Sequence, residues 1–410
     1  MPAQAPSTNE LTTQRAHNLE ARVTETGRRL LGEVQGLLTS LPTPAPGPQA
    51  LATLLGVDKV LASRVLKMLR ASDAIEAVHR APGPEPLRRL IRACESSGAG
   101  AEQVSRAKDA VDSLEHLIRH DAGDRSALDA VLSAWAPEAR REFELRRKQT
   151  AFRAMSQLKG AQAETLYAAV FLHPGHNPEM IDIAWINALY GLHRLRPGAS
   201  VKLAARWIRP GSATSPSRSL SGEPIEGAEG LVLEPFCSNP RPPIEVQRVG
   251  EVTHYTLGGD SFGQGAASDV VFAEHGPDDM PRFVQDTSRK RFVYAEVSAP
   301  AKRLVFDALV HRDLETGPAE LRVYDTSFEG VASPNNPARD IDQFDMLETV
   351  QRIEPGPRRA GGTPRRDELI AHACASLGWD PSEFALLRCS IEYPIYGSQV
   401  TMMFPTQANG

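Results

Sequence analysis

The chain has 410 residues, of which 41% are hydrophobic, and a formal net charge of -5 at pH 7. That length predicts two or three domains, and that apolar content excludes general disorder. The negative balance excludes a globally basic nucleic-acid coat, so any nucleic-acid surface must be a local patch. Cys94, Cys237, Cys374 and Cys389 lie far apart with no C-x-x-C pair. This argues against a zinc ribbon or thioredoxin-like site and fits a reducing cytoplasm. The opening MPAQAPSTNE lacks the basic-then-apolar pattern of a signal peptide. No apolar run approaches the roughly 20 residues that span a bilayer, so the expected location is the cytoplasm, with no membrane contact.

Residues 1–25 are polar and read as a flexible N-terminal tail or a loosely held helix. Leu30, Leu31, Val34, Leu37 and Leu38 then line one face of a helix, which the Pro42, Pro44, Pro46, Pro48 stretch ends. The segment Pro48–Arg70, PQALATLLGVDKVLASRVLKMLR, has the parts of a helix-turn-helix. Ala52 is the small residue at the helix crossing, and Gly56 suits the left-handed turn. Leu51, Leu55, Ala62, Val65 and Leu66 supply the inner face, leaving Lys59, Ser63, Arg64, Lys67 and Arg70 on the outer face of the second helix. From Val57 to Arg92, Lys59, Arg64, Lys67, Arg70, Arg80, Arg88, Arg89 and Arg92 outnumber Asp58, Asp73, Glu76 and Glu85. Such local basic charge is what counterion release at phosphates requires.

This order of features resembles the winged helix-turn-helix regulators, in the broad style of the MarR and IclR families, over about residues 27–92. The resemblance implies that the second helix enters the major groove of double-stranded DNA while a β-hairpin wing touches the flanking backbone. The wing would be Ile75–Pro82, with Arg80 near its tip. The expected DNA contacts are therefore Gln49, Lys59, Ser63, Arg64, Lys67, Arg70 and Arg80. Winged helices also pair subunits or dock proteins, which leaves a non-DNA-binding assembly protein as the alternative.

After a winged-helix domain at 26–97, Gly83-Pro84-Glu85-Pro86 opens its last short helix. Residues 98–160 read as a helical connector. Val104, Ala107, Val111, Leu114 and Ile118 recur at three and four, the seam of a packing helix that would pair two subunits or close a bundle within one chain. A charged helix from Pro137 to Lys159 follows.

Residues 161–410 read as a mixed α+β domain with mainly antiparallel strands. Leu166–Leu172 predicts a strand, and Asn177-Pro178-Glu179 predicts the N-cap of a helix running to about Arg196. Val201–Ile208 predicts a strand, and Pro210–Gly230 a long loop. Strands are then expected at Leu231–Phe236, Ile244–Val249, Val252–Leu257, Val270–Ala273, Phe292–Val297, Leu304–Val310 and Leu321–Tyr324. A basic loop with Arg358, Arg359, Arg365 and Arg366 precedes a helix at Arg366–Leu377, and strands at Leu387–Ile395 and Gln399–Phe404 close the chain. Trp185, Trp207, Trp379 and Tyr396 are core or pocket-wall residues.

Two constellations carry possible chemistry. Gly259-Asp260-Ser261-Phe262-Gly263 has the form of a hydrolase elbow, with His311 or His372 downstream, but loop and strand follow it where a helix is needed. His173, His176 and Glu179 have the spacing of metal ligands, but Pro174, Gly175 and Pro178 break any helix there. No catalytic set, cofactor or metal is therefore expected. The reading is a non-enzymatic, α+β multidomain DNA-binding transcriptional regulator. It would be a homodimer whose C-terminal domain senses a small molecule or peptide. The alternatives are the assembly protein and a hydrolase with Ser261 as nucleophile.

Overall fold

A computed structural model describes residues 8–44, 46–207, 217–315, 317–354 and 363–408. They divide into two compact units, Met1–Glu144 and Leu145–Gly410.

Unit 1 is helical: α1 (Thr8–Thr39), α2 (Pro48–Leu55), α3 (Lys59–Leu69), α4 (Ala74–Arg80), α5 (Pro84–Ser96), α6 (Ala101–His116), α7 (Arg125–Ser133) and α8 (Pro137–Lys159), within which the division falls. α1 begins at Thr8, so of the two readings of the N-terminal segment, tail or helix, most of it is helix. Val23, Leu30, Val34 and Leu37 of α1 pack with Leu61, Val65, Leu90 and Val111 in one apolar core. At Gly27 the backbones of α1 and α4 touch, because a Cβ there would collide with the carbonyl of Ala74.

The wing is not formed: Ile75–Pro82 holds α4 in place of two strands. The local chemistry explains the difference. Asp73 accepts the backbone N–H of Glu76 at 2.8 Å, and the Glu76 carboxylate reaches back to the backbone N–H of Ser72, which is a reciprocal N-terminal cap. At the other end Arg125 donates to the carbonyls of His79 at 2.7 Å and Val78 at 3.3 Å, satisfying the last orphan acceptors. The seam from Val104 to Ile118 is likewise spent inside unit 1. Val104, Ala107, Val111 and Leu114 are buried in the same core as α1 and α5, so the motive for pairing subunits through them falls away.

Unit 2 is built from β1 (Ala161–Pro174), β2 (Met180–Arg194), β3 (Lys202–Trp207), β4 (Ile244–Val249), β5 (Val252–Leu257), β6 (Ser268–Pro281), β7 (Phe283–Val284), β8 (Arg291–Glu296), β9 (Ala301–His311), β10 (Glu320–Asp325), β11 (Gln343–Phe344), β12 (Gln351–Ile353), α9 (Arg366–Leu377), β13 (Phe384–Glu392), β14 (Ser398–Phe404) and β15 (Gln407–Ala408). The main sheet has the order β12-β13-β9-β1-β2-β6, a four-stranded sheet the order β11-β10-β14-β8, and a three-stranded sheet the order β3-β5-β4. Pairing in these three sheets is antiparallel except between β1 and β9. The chain is thus mixed α+β with mainly antiparallel strands and a helical N-terminal region.

The main sheet is covered on both faces. Leu166, Ala168, Val170 and Leu172 of β1 pack with Val293, Val323, Val400 and Met402 of the four-stranded sheet. Tyr167, Ala169 and Phe171, pointing the other way, pack with Leu369 and Ala373 of α9. Two expectations fail in this unit. Asn177-Pro178-Glu179 is the turn of the β1–β2 hairpin, with Leu172 paired to Ile183 across it. Leu231–Phe236 contributes one bridge, Val232 to Phe272, followed by a single 3₁₀ turn at Glu234–Phe236. Part of the expected 210–230 loop and Ile208 lie outside the described residues.

Candidate functional site

Unit 1 presents the helix-turn-helix surface. Pro48 opens α2, and Gly56 ends it in the left-handed region at φ 64°, its N–H returning to the carbonyl of Ala52. Asp58 caps α3, accepting the N–H of Leu61 at 2.7 Å. These two devices fix the turn, and Leu61, Ala62, Val65 and Met68 bury the inner face. Lys59, Arg64 and Lys67 are exposed on the outer face, with Arg70 at its C-terminal end, Ser63 half-buried beside them and Gln49 exposed on α2.

The ion pairs sort the basic residues of this region into two groups. Arg88 pairs with Asp112 at 2.6 Å and with Glu115, Arg89 with Asp58 at 3.6 Å, and Arg92 with Glu85 at 2.9 Å. Arg80, expected at a wing tip, lies in the last turn of α4 and pairs with Glu76. Lys59, Arg64, Lys67 and Arg70 have no ion-pair partner among the described residues. The four free cations thus belong to one helix and its C-cap. Val60 shares that exposed surface at 69% exposure.

Unit 2 carries polar groups that the sequence reading did not assemble. On the α9 face of the main sheet, Asp307 of β9 is fully buried. Its carboxylate accepts from Arg388 Nε at 2.7 Å and Nη2 at 2.8 Å, from Arg366 Nε at 2.8 Å, and from the Tyr167 hydroxyl at 3.1 Å. Burial, with Asp307 beside it, pushes the Tyr167 phenol well above its usual pKa. The signal was legible: Asp307 and Arg388 are lone charges inside apolar runs, VFDALV and ALLRCSI. Arg366 and Arg388 also line an open cleft of about 640 Å³ with Arg312, Arg352, Glu383 and Ile370.

At one end of the same face stand His173, His311 and Glu383. Leu172 lies beside Val310 in the parallel β1–β9 ladder, so the next residues outward, His173 and His311, are neighbours. Their ring centroids are 4.9 Å apart at 73°. β13 pairs its first residue, Phe384, with His311, and Glu383 just before it sets Oε2 3.2 Å from His311 Nε2. One donor atom from each of the three lies within 4.8 Å of the other two. Trp379 stacks on His173 at 4.7 Å and 8°. Burial pushes the His173 pKa below its ordinary value. The His173, His176, Glu179 spacing named one of these three residues. His176 and Glu179 are exposed in the hairpin turn.

A third feature is a cavity of about 470 Å³ where the main, four-stranded and three-stranded sheets meet, lined by Trp185, Tyr294, Lys202, Glu296 and the Arg206–Glu274 ion pair at 3.0 Å. Ser261 lies in the link from β5 to β6, two strands in different sheets. A 3₁₀ turn at Gln264–Ala266 and then β6 follow it, so the strand-to-helix elbow is not formed. Arg358, Arg359 and the side chain of Trp207 lie outside the described residues. Arg365 pairs with Glu368 at 2.9 Å, and Arg366 is taken by Asp307. Among the described residues, no helix is long and apolar enough to cross a membrane. No family model, curated protein or solved structure matches the chain.

Proposed function

We propose that the chain is a DNA-binding regulator that lays α3 in the major groove of a duplex and binds an effector in unit 2. The observation that carries this reading is the partition of charge. On a chain of net charge -5, the basic side chains of α4 and α5 are neutralised locally, while Lys59, Arg64, Lys67 and Arg70 remain free. Free cations on one exposed helical face are what phosphates and guanine edges select. The flanking contact expected of a wing has no counterpart, since Arg80 is tied to Glu76, so α3 and Gln49 carry the interface. The cavity lined by Trp185, Tyr294 and Glu296 offers an effector both aromatic walls and charged groups.

The test is binding to duplex DNA by fluorescence anisotropy across a salt series. Neutralising four phosphates gives a slope near -3.6 in log affinity against log salt, about a 100-fold loss between 50 and 200 mM. Lys67→Ala or Arg70→Ala lowers the slope by about one unit on every sequence. Arg64→Ala, central on the helix, also loses about 1–3 kcal/mol of sequence discrimination. No salt-dependent affinity for any duplex at low ionic strength would overturn the assignment. A second reading, α3 as a subunit- or protein-docking helix, draws on the exposed Val60 at the front of the same surface. It requires that Val60→Ser weaken self-association in light scattering and leave the salt series unchanged.

A further inference from the structure

We propose that His173, His311 and Glu383 form a binding site for a divalent transition metal ion of the zinc class. This site belongs to unit 2 and does not depend on what α3 recognises.

Two imidazoles and one carboxylate form a donor set suited to zinc, cobalt or nickel rather than to magnesium or calcium, which prefer oxygen alone. Each donor is oriented by a neighbour that leaves its ligating atom available. His173 Nδ1 lies 2.7 Å from the carbonyl of Pro174 and donates to it, so the proton sits on Nδ1 and the Nε2 lone pair is open. Among the described residues, none hydrogen-bonds to that Nε2. The backing carbonyl is the outer-shell partner that metal-ligating histidines use. Stacking on Trp379 holds the ring plane. Arg312 Nη2 donates to Glu383 Oε1 at 2.6 Å, which turns Oε2 towards His311.

His311 is the ligand that must change. Its Nδ1 accepts the N–H of Asp313 at 3.2 Å, so Nε2 carries the ring proton and donates to Glu383. Metal at Nε2 requires that proton to move to Nδ1, which gives up the hydrogen bond from the Asp313 N–H; the Asp313 carboxylate, 3.8 Å away, must close to hydrogen-bond distance to accept it. The distances allow the closure. Donors about 2.1 Å from a tetrahedral ion stand about 3.3–3.5 Å apart. The Nε2–Oε2 pair is already at 3.2 Å, and the three donors lie within 4.8 Å of one another. Closing the remaining separations, up to 4.8 Å, to those of a tetrahedral site takes relative donor shifts of up to about 1.5 Å, shared among the three side chains. Three protein ligands leave a fourth position for water or an exogenous ligand, the open form of a zinc-class site.

The experiment titrates the chelator-treated full chain with Co²⁺, read by visible d–d absorption, and with Zn²⁺, read by calorimetry. One saturable metal ion per chain is expected, with the intense absorption of low coordination number. Glu383→Gln and His173→Asn should each weaken binding by at least about 100-fold, beyond the 10–100-fold cost of outer-shell changes. His176→Ala and Glu179→Ala, in the exposed turn, should leave it unchanged. Circular dichroism and the urea midpoint of each metal-free variant establish that it is folded. If His173→Asn does not fold, Glu383→Gln with Asp313→Asn as the milder companion carries the comparison. Absence of saturable binding at micromolar metal would overturn the proposal and leave His311–Glu383 a plain hydrogen-bonded pair. Equal affinity in wild type and Glu383→Gln, or a loss caused by His176→Ala instead, would overturn it as well.

Discussion

Replacing Asp307 with alanine removes the only anion in a buried group of three charges. Arg388, whose side chain is 13% exposed, would then lose its carboxylate partner, and Arg366, 12% exposed, would keep only its 2.7 Å pair with the exposed Asp367. The four hydrogen bonds that end on the carboxylate vanish together. Removing one partner of a buried ion pair costs about 3–5 kcal/mol, because the remaining charge keeps its desolvation penalty and loses its compensation. At 2–4 °C per kcal/mol for a unit of this size, Asp307→Ala should lower the unfolding midpoint of unit 2 by about 6–20 °C. Thermal melts followed by circular dichroism and by intrinsic tryptophan fluorescence measure it, since Trp185 and Trp379 lie in this unit. The combined Asp307→Leu, Arg366→Met, Arg388→Met variant leaves no charge behind and should recover most of the loss. A shift under about 2 °C for Asp307→Ala, with the transition still cooperative, would refute the reasoning, because water would then already be solvating both guanidinium groups.

Further consequences concern packing and reactivity. Gly27→Ala should destabilise unit 1 by more than about 2 kcal/mol, because its Cβ meets the Ala74 carbonyl of α4. Gly32→Ala and Gly36→Ala, on the same helix with open space around them, should stabilise it by about 0.5–1 kcal/mol; urea midpoints of the three variants give the order. Among the cysteines, burial pushes the thiols of Cys94 and Cys389 up to about 12 and that of Cys374 up to about 11. Iodoacetamide at about pH 8 should therefore modify the half-buried Cys237 first and the other three only on unfolding, as peptide mapping would show. Simultaneous labelling of all four would mean that both cores open together.

Local chemistry was the legible part of this chain. The turn at Gly56 and the division of α3 into an apolar and a basic face follow from residues within one or two helical turns, and the structure forms them as read. The same holds for α9 at Arg366–Leu377 and for the strand runs of β1, β9, β10 and β14. Two misreadings had opposite causes. The α4 cap, Asp73 to Glu76, is a short-range signal that favours a helix over the expected wing. In β2, Ile181, Ala184, Trp185, Ala188, Leu189 and Leu192 recur at three and four like a helix face, and no local rule corrects that. β2 is covered on both faces and flanked by β1 and β6, so its apolar residues carry no period-two signature.

Tertiary structure alone decided the meeting of distant groups. Asp307 joins Arg366, Arg388 and Tyr167 across as many as 140 positions. His173 meets His311 only because β1 and β9 pair in one parallel register; a slip by a single residue would send either ring to the opposite face. The seam from Val104 to Ile118 makes the same point from the other side. Its spacing determined that an apolar stripe must be covered, and only the packing of α1 and α5 decided that the cover comes from the same chain. Sequence specifies which faces must leave water, since that depends on side chains a few residues apart. What covers each face depends on contacts between segments distant in sequence, whose register no local pattern encodes.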